Sequence, residues 1–394
     1  MTRAKMLVHS RLLSIGFQPA EQLYKRITSY TENAMYKDIK KRTNANIAMM
    51  LIIALTAVVM TACNETEKKA TLNPTEFRTE VKLGMTPVKD QGHSALCWAY
   101  AMLATIETEH IQRGDSVNLS VAYVARSFMK EQADRCYLSH GSSGITQRGT
   151  MPQLVRLIQT YGLMPYDSYH TDANMNVAER KLRSTLVAQC GRGSGLVKAR
   201  QAADNVLDGS INPLPKHVYM LGMEYTPLEF AHSVCMPDEY MAFTSFTHEP
   251  MNKKVALRLT DNYNGERFVN LPIDRLMELM EKSVRSGHPV CWEGDISERG
   301  FSFADGVADV PLAKRNCSQA MRQREFDTFR TTDDHCMAII GIARDKEDRK
   351  YFICKNSWGT ENPYGGLMYM SFDYVRLKTI AVMLNNIVLP AMEE

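Results

Sequence analysis

The sequence predicts an α+β fold in which helices come first and an antiparallel sheet comes last. Apolar residues recur at helical spacing in three segments of the N-terminal half, at Trp98–His110, Val121–Gln132 and Gln153–Tyr161. Short apolar runs between turn-forming residues lie near the C-terminus, at 336–342, 351–354 and 366–370. Because these runs are joined by short polar connections, they are expected to pair as antiparallel neighbours.

Composition excludes several classes of function. The chain has 394 residues, of which 44% are hydrophobic and 23% are charged, as in an ordinary globular protein. Its formal net charge of +3 is small, and no basic cluster with interleaved aromatic residues is present, so no nucleic-acid partner is predicted. The nine cysteines follow no metal-ligand spacing, so neither a metal site nor another cofactor is expected.

The N-terminus is typical of an exported lipoprotein. Residues 1–34 are predicted to be disordered, or untranslated if synthesis starts at Met35. Residues 35–63 combine a basic segment, the apolar run Ile47–Met60 and small residues before Cys63, which resembles a lipobox with Cys63 as the lipidated residue. An uncleaved N-terminal anchor is the alternative, and either interpretation predicts an exported, membrane-anchored protein of a bacterial cell envelope, periplasmic or on the surface.

Residues 64–76 are predicted to be a polar tether, and residues 77–394 a single globular domain. Within it, residues of about 165–330 show no repeat and are predicted to be an elaborated, mostly helical insertion. Helices are expected there at Val177–Ala188, Leu228–His232 and Ile273–Arg285, and a buried strand at Pro289–Trp292.

Cys97 is predicted to lie at a helix N-terminus, because the loop before it is rich in turn formers and the apolar period starts at Trp98. Unpaired backbone N–H groups and the helix dipole favour a thiolate at that position, and the thiolate is the nucleophilic form of cysteine. The second helix is expected to be capped by Ser120, and the third to end at Gly162.

His335 and Asn356 are predicted to lie side by side. His335 opens the apolar run 336–342, Asn356 closes the returning run 351–354, and the two runs form a predicted hairpin. The asparagine side-chain oxygen can accept the imidazole N–H and turn the other ring nitrogen towards a thiol. A histidine oriented in this way is the kind of base that a thiol nucleophile requires.

Four segments of this chain together resemble the signature segments of papain-like cysteine peptidases, in the same order. They are Gln91, Cys97-Trp98, Asp334-His335 and Asn356-Ser357-Trp358-Gly359. The long spacing between Cys97 and His335, together with Phe372-Asp373-Tyr374-Val375, is similar to the bleomycin hydrolase and aminopeptidase C branch. The resemblance implies a two-lobed fold, with the nucleophile on an N-terminal helical lobe and the histidine and asparagine on a C-terminal antiparallel β lobe.

The resemblance also implies a role for each matching position. Cys97 would attack the peptide carbonyl, His335 would protonate the leaving amine, and Asn356 would orient His335. The side chain of Gln91 would bind the oxyanion. Three further residues would contribute to the substrate-binding part of the site: Gly149, Trp98 and Trp358.

The implied activity is hydrolysis of peptide substrates through a thioester, with aminopeptidase action favoured over endopeptidase action. The alternative is a lipoprotein that binds peptides without catalysis. Three residues depart from the family pattern, namely Ser94, Ala95 and Arg148, and the last two are expected to crowd the cleft. The reach of the tail Pro390–Glu394, the oligomeric state and any disulfide pairing are left open by the sequence.

Overall fold

A computed structural model describes residues 76–220 and 222–389. The predicted extension, signal segment, Cys63 and all but the last residue of the tether lie outside the described residues, as does the tail Pro390–Glu394. These boundaries and the proposed lipidation therefore remain predictions. Within the described residues, no helix has the length and apolar character that crossing a bilayer requires.

The predicted N-terminal helices are present. The helices in chain order are α1 (Cys97–Gln112), α2 (Val121–Leu138), α3 (Met151–Tyr161), α4 (Met175–Gly191), α5 (Leu196–Ile211), α6 (Pro227–Val234), α7 (Ile273–Arg285), α8 (Gln319–Asp327) and α9 (Phe372–Lys378). Ser120 caps α2 as predicted, since its hydroxyl accepts a hydrogen bond from the Tyr123 N–H at 3.0 Å. The third helix ends at Gly162, whose φ of 86° is one that L side chains rarely adopt.

The strands form one large mixed sheet and one small hairpin. In chain order they are β1 (Arg78–Lys82), β2 (Val218–Met220), β3 (Met223–Tyr225), β4 (Tyr240–Thr244), β5 (Lys253–Ala256), β6 (Arg267–Asn270), β7 (Val290–Gly294), β8 (Phe301–Ser302), β9 (Val307–Ala308), β10 (His335–Arg344), β11 (Lys350–Lys355), β12 (Leu367–Ser371) and β13 (Thr379–Asn385). The large sheet has the order β5-β6-β4-β13-β7-β10-β11-β12-β9-β8, with β1 also paired to β10. The antiparallel hairpin β10–β11 and its neighbour β12 confirm the sequence prediction.

Helix α1 lies between the helical part of the molecule and the sheet. It is therefore buried on nearly all sides, including the side chains of Glu107 and Glu109, which are each 1% exposed. The Nδ1 atom of His288, a residue just before β7, lies 2.9 Å from the Oε2 atom of Glu109. Such partners allow charged residues to lie in an interior where unpaired charge would be costly.

The middle of the sheet separates two cores. Cys336, Ala381 and Met383 point into the core shared with the helices, whereas Trp292 and Met337 point into the core covered by α7. This alternation is the period of two that a strand imposes. The face towards α1 is the one on which the predicted nucleophile lies.

The sequence did not predict several elements. The buried face of helix α5 includes Ala199, Ala203 and Leu207, and the residues between them are mostly polar. Because alanine is only weakly hydrophobic, this face does not stand out as an apolar period in the sequence. The strands β4, β5 and β6 are four or five residues long, too short to be recognised from periodicity alone.

Candidate active site

Cys97 occupies the first position of α1 and is only partly exposed. The preceding residue, Leu96, makes no side-chain cap on the helix. The first backbone N–H groups of the helix have no intrahelical acceptor, so they and the helix dipole favour negative charge at the sulfur. The predicted placement of Cys97 at a helix N-terminus is confirmed.

His335 and Asn356 are joined by a hydrogen bond. The imidazole Nε2 lies 2.8 Å from Asn356 Oδ1, and both residues are buried. The backbone N–H of Ser357 donates to the same oxygen at 2.8 Å, which agrees with the orientation of the amide. Because Nε2 is engaged, Nδ1 is the ring nitrogen left to face Cys97, as the hairpin prediction required.

Aromatic rings cover this hydrogen bond. The ring of Trp358 lies 4.7 Å from the ring of His335, measured between centroids. Phe301 and Phe303 contact Trp358 edge-on at 6.0 and 5.3 Å. Exclusion of water from one side lowers the local dielectric and strengthens the His335–Asn356 bond.

Two neighbours in β10 act on the thiol of Cys97. A hydrogen bond with the thiol of Cys336 and contact with the imidazole of His335 hold the pKa of Cys97 well below its usual value, against the opposing effect of burial. Burial and the same contact raise the pKa of Cys336, so Cys336 remains a protonated donor. The sequence placed Cys336 only within the apolar run 336–342, and nothing in that run shows which face of the sheet its side chain takes.

Gln91 is fixed by hydrogen bonds at both ends of its amide. Its Nε2 donates to the Ser94 carbonyl at 2.8 Å, and its Oε1 accepts from the Ser357 hydroxyl at 2.7 Å. The Gln91 backbone N–H donates to the Ser357 carbonyl at 2.8 Å. The loop before Cys97 is thus attached to the segment that carries Asn356.

The arrangement can be compared with known proteins. A model of the Peptidase C1-like family matches residues 215–393, which include His335 and Asn356. Aminopeptidase W of Lactobacillus delbrueckii subsp. lactis is 22% identical over 365 residues, covering 79% of this chain and 83% of that protein. Mitochondrial cysteine proteinase 1 of Saccharomyces cerevisiae is 23% identical, covering 76% and 74%.

Residues 215–393 of this chain match the Peptidase C1-like family, and the rest of the chain resembles the aminopeptidases at low identity. Its fold is papain-like, as the sequence predicted. The crystal structure of pepw from Lactobacillus rhamnosis matches with a TM-score of 0.60 at 18% identity, covering 86% of this chain and 90% of that one.

Gly149 lies directly above Trp98. A Cβ at Gly149 would lie 2.7 Å from Gln153 Oε1 and 2.9 Å from two atoms of the Trp98 ring. The Trp98 indole N–H donates to the Gln147 carbonyl at 2.7 Å, and its side chain is 1% exposed. The Trp98 ring is packed beneath the loop that carries Gly149 and supports it, so the predicted part of Trp98 in substrate binding would act through that loop.

A buried polar network positions the end of β11, and no sequence pattern indicated it. Lys355, adjacent to Asn356, donates to the Thr86 hydroxyl at 2.7 Å and lies 3.7 Å from Glu107 on α1. Glu107 also accepts from Lys89 at 2.7 Å. Burial lowers the pKa of Lys355 to about 8. The network joins the nucleophile helix to the strand that carries Asn356.

Arg148, one of the predicted departures from the family pattern, crowds one side of the cleft. Its guanidinium pairs with Asp261, with Nε 2.7 Å from Oδ2, and donates to the Asp333 carbonyl at 2.7 Å. A cavity of about 650 Å³ is lined by these three residues and by Arg258, Tyr263 and Phe326, among others. The segment that ends in His335 therefore forms part of its wall.

No group of three or more potential ligands is arranged to hold a metal ion within residues 76–220 and 222–389.

Proposed function

We propose that this chain is a cysteine peptidase of aminopeptidase type, with Cys97 as nucleophile, His335 as base and acid, and Asn356 as the residue that orients His335. The observation that supports this assignment most strongly is the 2.8 Å hydrogen bond between His335 Nε2 and Asn356 Oδ1, which orients an imidazole that lowers the pKa of the Cys97 thiol together with Cys336. A lowered thiol pKa and an oriented imidazole are what a thiolate–imidazolium pair requires.

The reaction follows from these positions. The Cys97 thiolate attacks the substrate carbonyl, and the negative charge that develops on oxygen is stabilised by the Cys97 backbone N–H and the Gln91 side-chain amide. The imidazolium of His335 then gives its proton to the leaving amine, which leaves a thioester on Cys97. Water attacks the thioester while His335 accepts its proton, and the carboxylate product is released as the thiol regains a proton.

The aminopeptidase assignment is supported by relatives whose names describe that activity. They include aminopeptidases W, G and C of Lactobacillus delbrueckii subsp. lactis, which are 22–24% identical to this chain. A pair of substrates tests it: a dipeptide amide with a free amine and its N-acetylated form. We expect the free-amine substrate to be hydrolysed with the larger kcat/KM, and equal rates would instead indicate an endopeptidase.

A comparison of two thiols tests the nucleophile. Cys97 and Cys190 are both partly exposed, and Cys190 is the matched control. We expect iodoacetamide near neutral pH to label Cys97 first, and Cys97→Ala, unlike Cys190→Ala, to abolish hydrolysis. Continued turnover in folded Cys97→Ala would remove Cys97 from the mechanism. Peptide binding without turnover in the unsubstituted protein would favour the non-catalytic alternative.

For location we propose a lipoprotein anchored through Cys63, a proposal that rests on the sequence of residues 35–63. Metabolic labelling with a fatty acid analogue tests it in a bacterial host. Label is expected in the full chain and absent after Cys63→Ser. Equal labelling of both forms, or none in either, would contradict lipidation at this residue.

A further inference from the structure

Glu293 is a buried carboxyl beside the candidate nucleophile that the mechanism above does not use. It lies in β7, its side chain is fully buried, and neither carboxyl oxygen has a hydrogen-bond donor among the described residues. Buried charged groups are normally paired, so an unpartnered carboxyl at this depth requires an explanation.

The sheet register places Glu293 on the side of the nucleophile. Glu293 pairs directly with Cys336 in β10 and with Ala381 in β13. Residues paired across neighbouring strands point to the same face, and Cys97 packs against the core on that face, which includes Cys336. The carboxyl of Glu293 therefore lies on the α1 side of the sheet, close enough that the charge of Cys97 raises its pKa.

Asp333 is the neighbour of this carboxyl. The backbone N–H of Asp334 donates to the Gly294 carbonyl at 3.4 Å, which places Asp333 beside Glu293. Two neighbouring carboxyl groups can share a hydrogen bond only when one of them is protonated, because ionised carboxylates only accept. Burial, followed by repulsion between the two groups, raises the pKa of Glu293 well above its usual range. When no cationic ligand is bound, the two carboxyl groups share one proton, and Glu293 is the protonated member.

The pair opens onto the cavity of about 650 Å³ through Asp333. Arg148 forms no ion pair with Asp333, since its guanidinium bonds the Asp261 carboxylate and reaches only the backbone carbonyl of Asp333. Burial raises the pKa of Asp333 to about 7, and the paired charges of Asp261 and Arg148 act on it in opposite directions. A positively charged group that enters from the cavity would meet a carboxyl whose proton it can displace to water.

We propose that the Glu293–Asp333 pair binds a cationic group of the peptide substrate, next to the bond that Cys97 attacks. The inference deepens the proposed function and rests on it. A substrate ammonium or guanidinium group would take the place of the shared proton, leaving both carboxylates ionised around it. Two parts of a peptide carry such a group: the free α-amine, and the side chain of a lysine or arginine near the scissile bond.

Four fluorogenic substrates distinguish the two sources. Leucine aminomethylcoumarin with a free or an acetylated amine tests the α-amine, and acetyl-Lys-Leu against acetyl-Leu-Leu aminomethylcoumarin tests the side chain. In one of these pairs the cationic member should have a kcat/KM about 10- to 100-fold higher, the range expected when a charged hydrogen bond is gained. Glu293→Gln and Asp333→Asn should remove most of that preference.

Controls separate binding from folding. Glu347→Gln changes an exposed carboxylate in the turn after β10, at the opposite end of that strand from His335, and should leave the preference intact. Asp333 is partly exposed, so Asp333→Asn provides a second variant if Glu293→Gln lowers the melting temperature too far.

Peptidyl chloromethyl ketones with and without the cationic group provide a readout that does not need turnover. If the cationic ketone alkylates Cys97 faster, and this advantage is lost in Asp333→Asn, the result supports cation binding by the pair. A lack of peptide hydrolysis in the same protein would overturn only the proposed peptidase activity. Hydrolysis without preference for the cationic member of either substrate pair would overturn the role of Glu293–Asp333. It would leave the assignment as a cysteine peptidase standing, with endopeptidase action in place of aminopeptidase action. A preference that persists in both variants would also overturn it.

Discussion

The hydroxyl of Ser357 donates a 2.7 Å hydrogen bond to Oε1 of Gln91. Through this bond the residue that follows Asn356 holds the amide proposed to stabilise the oxyanion. The two residues come from opposite ends of the globular sequence, so the bond joins the nucleophile loop to the β-sheet part of the site.

Replacement of Ser357 by alanine should loosen that amide. Loss of one hydrogen bond of about 1 kcal/mol predicts a fall in kcat of about fivefold, with a smaller change in KM. Steady-state kinetics on one substrate measure both constants. The matched control is Ser184→Ala, an exposed serine on α4. An unchanged kcat in Ser357→Ala would show that the bond does not position Gln91.

Replacement of Asn356 by alanine should free the imidazole of His335. We expect kcat to fall by about 100-fold, at the low end of what general acid–base catalysis contributes, while the protein remains folded. Asn205→Ala, at an exposed position of α5, is the control and should keep full activity. Activity within twofold of the unsubstituted enzyme would argue that Asn356 has no orienting role.

Replacement of Cys336 by alanine tests the contact between the two thiols. Because the bond from Cys336 lowers the pKa of Cys97, the thiolate is present above that pKa and lost as the pH falls through it. Without Cys336 this loss should begin at a higher pH. The rate of Cys97 alkylation, followed by mass spectrometry across pH, measures the shift.

Cys354→Ala is the control for that experiment, since Cys354 is a buried strand cysteine that packs into the other core. Its alkylation profile should match that of the unsubstituted protein. A profile for Cys336→Ala that coincides with it would show that the thiol contact has no influence on Cys97.

Replacement of Gly149 by alanine should destabilise the loop above Trp98. The added Cβ would meet the Trp98 ring at 2.9 Å, and overpacking of this kind costs about 1–3 kcal/mol of unfolding free energy. Gly144→Ala, where a Cβ meets nothing within 4 Å, should be neutral. Denaturant unfolding of both variants checks this, and equal midpoints would contradict the packing argument.

The sequence by itself determined the local chemistry of this protein. The placement of Cys97 at a helix start, the Ser120 cap and the hairpin that brings His335 to Asn356 all follow from short-range patterns. In each case the cause lies within one helix or one hairpin, where periodicity, capping and turn residues act directly. The α+β class followed in the same way.

Only the tertiary structure decided which side chains surround the nucleophile. Cys336 and Glu293 are interior residues of apolar strands, and strand pairing across the sheet determines that both face α1. Trp98 is likewise buried because the Gly149 loop folds over it. Contacts of this kind join residues far apart in the chain, and no local pattern carries the register that brings them together.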